Sequence, residues 1–136
     1  MNNTLQPKST GIKTVLLVDD DIEDQEIFEI VLNEIKQPVN CVCVKTAEDA
    51  LATLSKETDE KPDYIFLDLN LPLMSGFECL NALKHNEELH DIPVIIYSTS
   101  SRKTDQQKAK ELGAVDYFIK PNTFSELKTM LENVFA

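Results

Sequence analysis

The chain has 136 residues, 42% of them hydrophobic, with a mean hydropathy of −0.23 and a formal net charge of −11. That size suits one domain with a single core, and the acidity argues against direct binding of nucleic acid or of an anionic membrane surface. No apolar run approaches the roughly 20 residues that span a bilayer, and the polar start lacks a secretory-signal core, so the expected location is cytoplasmic.

Residues 1 to 11 read as a loose tail ahead of a folded unit over 12–136. Val15-Leu16-Leu17-Val18 is a short continuous apolar run, the mark of a strand buried on both faces, and it ends in Asp19-Asp20-Asp21. Ile27, Phe28, Val31, Leu32 and Ile35 then recur at helical spacing, which predicts a helix over 22–36 that Gln37-Pro38 ends. Six acids lie between positions 19 and 26. Of these, Glu23, Asp24 and Glu26 are assigned to a solvated helix start, where acids complement the helix dipole. Val39 to Val44 reads as a second strand, in which Cys41 and Cys43 alternate and so face the same side. Together with Cys79 they read as small buried hydrophobes in a reducing compartment. A metal reading of the C-x-C is open, but no second Cys or His cluster stands near it. Thr46 caps a helix that carries Ala47, Ala50, Leu51 and Leu54 inward, with Asp49 at the capping-box position.

A third strand over 63–67 runs into Asp68 and the loop Leu69–Gly76, and a helix follows with Phe77, Leu80 and Leu83 on one face. Pro93 opens a fourth strand, Val94 to Tyr97, that ends at Ser98. The next helix, about 102 to 112, is polar, with Ala109 and Leu112 inward and Gly113 as its stop. Val115 and Tyr117-Phe118-Ile119 form a fifth strand ending at Lys120-Pro121. Thr123-Phe124-Ser125-Glu126 is a capping box for a last helix with Phe124, Leu127, Leu131 and Val134 on one face. Five strand–helix units predict a parallel, doubly wound α/β sheet. Ligands of such sheets bind beyond the carboxyl ends of the strands, where here several acids and a lysine converge. That set suits a divalent cation and a phosphoryl group. No second domain is expected, so output is expected to pass through another molecule.

Val15 to Asp21, Leu67-Asp68-Leu69-Asn70-Leu71-Pro72-Leu73-Met74-Ser75-Gly76 and Tyr117-Phe118-Ile119-Lys120-Pro121 resemble, in order and each after the matching strand, the response-regulator receiver domain. The likeness covers about residues 12 to 135. It implies a flavodoxin-like (βα)5 fold with strand order 2-1-3-4-5 and phosphorylation of one aspartate by a partner histidine kinase. Asp68 is then the phosphoacceptor. Asp19, Asp20 and Asp68 would cluster and call for a counter-charge, which Mg2+ supplies as a hard, oxygen-seeking cation. The resemblance makes Asp20 and Asp68 direct ligands, Asp19 a ligand through water, and Asn70 a ligand through its backbone carbonyl. Lys120 would neutralise charge on the incoming phosphoryl group, aimed inward by a cis bond to Pro121. Ser98 would donate to a phosphoryl oxygen, with Thr99 beside it as the lesser candidate and as a bulkier residue that narrows access. Tyr117 matches the family's switching aromatic, and a static half-buried role is its alternative.

The resulting reading is a single-domain regulator, not an enzyme, that signals to a protein effector or hands its phosphoryl group to a histidine phosphotransfer protein. Homodimerisation on activation, through the polar helix, the fifth strand and the last helix, is left open. Arg102, Lys103, Lys108 and Lys110 are read as solubilising that helix more than as docking an acidic partner. His85 and His90 show no catalytic pairing, so the phosphodonor histidine is expected on the partner. The competing readings are a Mg2+-dependent aspartyl-phosphate phosphohydrolase and a phosphorylation-independent binding module. The first lacks a second acid at position 70, and the second would require a lost site residue.

Overall fold

The computed structural model describes residues 12–56 and 60–136, and the expected tail over 1–11 lies outside them. The elements alternate strictly: β1 (Lys13–Val18), α1 (Ile22–Leu32), β2 (Val39–Val44), α2 (Ala47–Leu54), β3 (Tyr64–Leu67), α3 (Gly76–Lys84), β4 (Val94–Ser98), α4 (Lys103–Glu111), β5 (Asp116–Ile119) and α5 (Phe124–Val134). All strands pair in parallel in the order β2-β1-β3-β4-β5. This is the doubly wound sheet that the strand–helix alternation predicts, in the flavodoxin-like order that the receiver resemblance implies.

Alternate residues of the interior strands feed two core layers, because successive side chains of a strand point to opposite faces. Leu16, Val18, Ile65, Leu67, Val94 and Ile96 face a layer with Ala50, Leu80 and Ala109 from α2, α3 and α4. Val15, Leu17, Phe66, Ile95 and Tyr97 face a layer with Phe28, Val31, Leu127 and Leu131 from α1 and α5. In that second layer Phe28, Phe66 and Tyr97 meet edge to face at 5.1, 5.6 and 6.0 Å between centroids, a geometry that aligns ring edges with ring faces.

Four local expectations change. The helix over 22–36 ends at Leu32, after which the chain tightens, with the Glu34 amide donating to the Val31 carbonyl at 2.9 Å. The fifth strand starts at Asp116 and is not buried like β1 or β3: Val115 is 60% and Ile119 43% exposed. As the sheet's edge, β5 has a neighbour on one side only. Phe124 is 55% exposed, whereas Phe135, just after α5, is buried in the core. The fully reciprocal capping box is Ser75–Glu78 at α3. At α5 the Glu126 carboxylate accepts from the Thr123 hydroxyl rather than from its amide.

Candidate functional site

Parallel pairing in register brings the ends of β1 and β3 side by side, with the Asp68 amide donating to the Val18 carbonyl at 3.0 Å. Asp19 and Asp68 therefore leave adjacent strands at one level, and both are buried. One carboxylate oxygen from each of Asp19, Asp20 and Asp68 lies within 4.8 Å of the others. Asp19 is fixed by its own turn: its amide donates to Val44 O (3.0 Å) and its Oδ1 accepts from the Asp21 amide (3.0 Å). Asp20 is exposed at the mouth. Asp21 stands aside as the N-cap of α1, accepting from the Asp24 amide.

The loop after β3 is held by Gly76, whose amide donates to Leu69 O at 3.0 Å. A Cβ there would collide with the Asp68 carbonyl oxygen and stand 2.6 Å from Leu69 Cα, so only glycine lets α3 start this close to Asp68. The Asn70 amide donates to Asp68 Oδ1 at 3.3 Å.

Lys120 enters from β5. Its amide donates to Ser98 O at 2.8 Å, and its Nζ lies 2.7 Å from Asp24 Oδ2, 2.8 Å from Asp19 Oδ2 and 3.1 Å from Asp68 Oδ2. An ammonium has three donors, and here three carboxylates surround it. Burial alone would lower the Lys120 pKa, but the contacts to Asp19 and Asp24 and the charge of Asp68 outweigh it and hold the group above its ordinary value. The ammonium also stands 5.6 Å over the Tyr97 ring, within cation–π range. The expected cis bond before Pro121 is not found: every described peptide bond is trans. A long lysine chain drawn by three carboxylates reaches the cluster without it, and trans is the commoner X–Pro state.

Asp24 and Gln25 are the residues that sequence reasoning missed. Asp24, which the helix-dipole argument gives to solvent, binds Lys120; Gln25 Nε2 donates to Asp19 O (2.6 Å) and Val44 O (3.1 Å). The available signal was position: a helix that begins at the rim of a site turns its first-turn side chains back over it. Ser98 is fully buried, but its hydroxyl accepts from the Ser100 amide (3.2 Å), and Thr99 is exposed. Tyr117 is half-buried and its hydroxyl donates to Ser100 O at 2.8 Å. Ser98 and Tyr117 thus share one residue, Ser100, as neighbour.

The acids outnumber the lysine. Burial pushes the Asp19 carboxyl up to about 6, which Lys120 and the Asp21 amide offset only in part. Asp19 Oδ2 is wholly buried and, although beside Lys120, has no hydrogen bond of good geometry. An all-oxygen, acid-rich set with one such unsatisfied buried oxygen fits a hard divalent cation.

The response regulator receiver domain family matches residues 15–132. The phosphate regulon transcriptional regulatory protein PhoB of Pseudomonas aeruginosa is 34% identical over 122 residues, 90% of this chain but 51% of PhoB, so the chain spans about half the length of that relative. The response regulator Rcp1 of Synechocystis sp. is 29% identical over 134 residues, 96% of this chain and 91% of Rcp1. The phosphorylated cyanobacterial phytochrome response regulator RcpA superposes with a TM-score of 0.81 at 31% identity, over 90% of both chains. The Mn2+-bound form of Rcp1 gives 0.79 at 29% identity, over 90% of this chain and 91% of that one.

Proposed function

Because this chain belongs to the response regulator receiver domain family, we propose that it is a phosphorylation-operated signalling module whose acceptor is Asp68 and whose cation is Mg2+. The observation that carries the proposal is the single ammonium of Lys120 bridging Asp19, Asp24 and Asp68 at 2.7–3.1 Å. In the transfer, an Asp68 carboxylate oxygen bonds to phosphorus as the bond from phosphorus to the donor's imidazole nitrogen breaks. The product is an acyl phosphate and a free histidine on the partner. A carboxylate is a weak nucleophile facing an anionic group, so positioning and charge neutralisation supply the catalysis.

Asp19, Asp20 and Asp68, with the backbone carbonyl of Asn70, would hold Mg2+, which supplies Lewis-acid neutralisation of the phosphoryl oxygens. Lys120 exchanges part of its carboxylate contacts for a phosphoryl oxygen. Ser98 gives up its acceptor role toward the Ser100 amide and donates its hydroxyl proton to another phosphoryl oxygen. That movement reaches Tyr117 through Ser100 and repacks the face of α4, β5 and α5, a population shift between two packings. The readers are a sensor histidine kinase or histidine phosphotransfer protein upstream and a protein effector, a further relay step or a second copy downstream. The chain's own chemistry is confined to accepting and losing this phosphoryl group. Three free cysteines and the lack, among the described residues, of a helix long and apolar enough to cross a membrane accord with a cytoplasmic setting.

Intact mass after incubation with acetyl phosphate tests the reading, with and without Mg2+ and beside Asp68→Asn. One Mg2+-dependent phosphoryl adduct, absent from the variant, is expected. If neither the adduct nor a beryllofluoride complex forms with Mg2+ present, Asp68 is not an acceptor.

A further inference from the structure

β2 is an edge strand, and Cys41 and Cys43 project from the face of it that packs with Phe28 and Val31 of α1. Their Sγ atoms are 3.7 Å apart. A carboxylate oxygen of Glu29, on α1, joins them so that all three donor atoms lie within 4.8 Å of one another. The placement of Glu29 follows from the fold. Gln25, one turn earlier, is tied to the Val44 carbonyl at the carboxyl end of β2. Four residues further along the antiparallel helix is about 6 Å, and two residues back along β2 is about the same at ~3.3 Å each. That is the level of Cys41 and Cys43.

We propose that Cys41, Cys43 and Glu29 form a binding site for one thiophilic divalent cation of the zinc class, with the fourth position taken by water or an incoming donor. Zinc at about 2.3 Å from each of two tetrahedrally placed sulfurs sets them ~3.8 Å apart, and the observed spacing is 3.7 Å. Binding displaces the protons of both thiols to solvent, including the one that now bridges the two sulfurs. That S–H···S contact, with burial adding to it, drives the Cys41 pKa up, and the same contact draws the Cys43 pKa down. Oxidation is the poorer outcome for this pair. Residues two apart on an extended strand have Cα atoms about 6.7 Å apart, at the upper limit a disulfide spans. The cysteines are half-buried and Glu29 is exposed, so a cation can enter from solvent. Softness separates the two sites: thiolates select zinc-class ions, whereas Asp19, Asp20 and Asp68 offer only hard oxygens.

Titration of the reduced full chain with Co2+, in a non-thiol reductant and excess Mg2+, tests the site. One equivalent of Co2+ per chain is expected to give an intense sulfur-to-cobalt charge-transfer band that Zn2+ abolishes. Asp68→Asn is expected to retain the band, and Cys41→Ser and Cys43→Ser to lose it while keeping their far-ultraviolet dichroism and melting transition. Glu29→Gln, an exposed change that leaves the core untouched, is expected to keep the band and weaken Zn2+ by roughly tenfold or more in competition with a chelator. Absence of the band in folded wild type, or a stoichiometry of one cation per two chains, overturns the proposal. Unchanged Zn2+ affinity in Glu29→Gln overturns the three-ligand site.

Discussion

Asp19 and Asp68 end two interior strands, β1 and β3, whereas Cys41 and Cys43 lie within the edge strand β2. One helix serves both clusters: α1 sends Asp24 to Lys120 and Glu29 to the thiols. The difference lies in what each cluster does with its charge. Carboxylates in the interior stay ionised at neutral pH unless the fold raises their pKa, and the fold does so for Asp19 without removing the conflict. Thiols avoid the conflict by keeping their protons and sharing one between them. The acid cluster therefore needs a counter-charge in every state, first from Lys120 and then from a cation. The thiol cluster is stable without one and takes a cation only when a soft ion is present.

The largest effect is expected from removing the one positive charge. Lys120→Met leaves buried carboxylates without their partner, a loss of about 3–5 kcal/mol at pH 7. Urea denaturation should show that loss shrinking in saturating Mg2+, while the Co2+–thiolate band stays as in wild type. Equal stability of Lys120→Met and wild type without Mg2+ would mean that the acids are relieved by solvent, and the contrast with the thiols would fail.

The next effect comes from Asp19. Its folded pKa, about 6, lies above the ordinary aspartate value of 3.8. The folded state thus binds the extra proton, and stability falls as pH rises from about 4 to about 6. The full cost above that window is up to about 3 kcal/mol. Because a hard cation requires the ionised carboxylate and relieves this cost, Mg2+ is expected to raise the melting temperature more at pH 7.5 than at pH 5. Thermal denaturation at both pH values checks the sign; an equal Mg2+ increment at the two would exclude Asp19 from the cation's sphere.

Legibility in the sequence follows the same divide. The continuous apolar runs of β1, β3 and β4 announce strands buried on both faces, so the positions of Asp19, Asp68 and Ser98 could be read directly. The runs of β2 and β5 look similar in composition, but nothing in composition tells that a strand has one neighbour instead of two. Val42 and Ile119, 45% and 43% exposed, show the consequence. Asp24 was hidden because an acid in a first helical turn has an ordinary use in complementing the helix dipole. Glu29 was hidden because its partners sit on another element, and only the packing of α1 over β2 brings them together. The trans bond at Pro121 shows a further limit: the family motif marks the lysine that reaches the acid cluster, while the backbone state beside it depends on the surrounding structure.

Gln25 is where the two clusters can be made to interact. Its Nε2 holds the Asp19 carbonyl at 2.6 Å and the Val44 carbonyl at 3.1 Å, fastening α1 to the ends of β1 and β2 at once. Gln25→Ala removes those bonds and leaves the carbonyl of the buried Asp19 without that donor. A loss of about 1–2 kcal/mol in urea denaturation is expected. The more informative readouts are at the sites. With α1 less firmly seated, Asp24 stands less well over Lys120 and Glu29 less well over the thiols, so acetyl phosphate labelling slows and Zn2+ affinity falls, each by a few-fold. A variant that loses stability while both readouts hold would show that each cluster is positioned by its own strand. A loss at both would make the seating of α1 the element through which a soft cation at the sheet edge influences phosphoryl transfer at its centre.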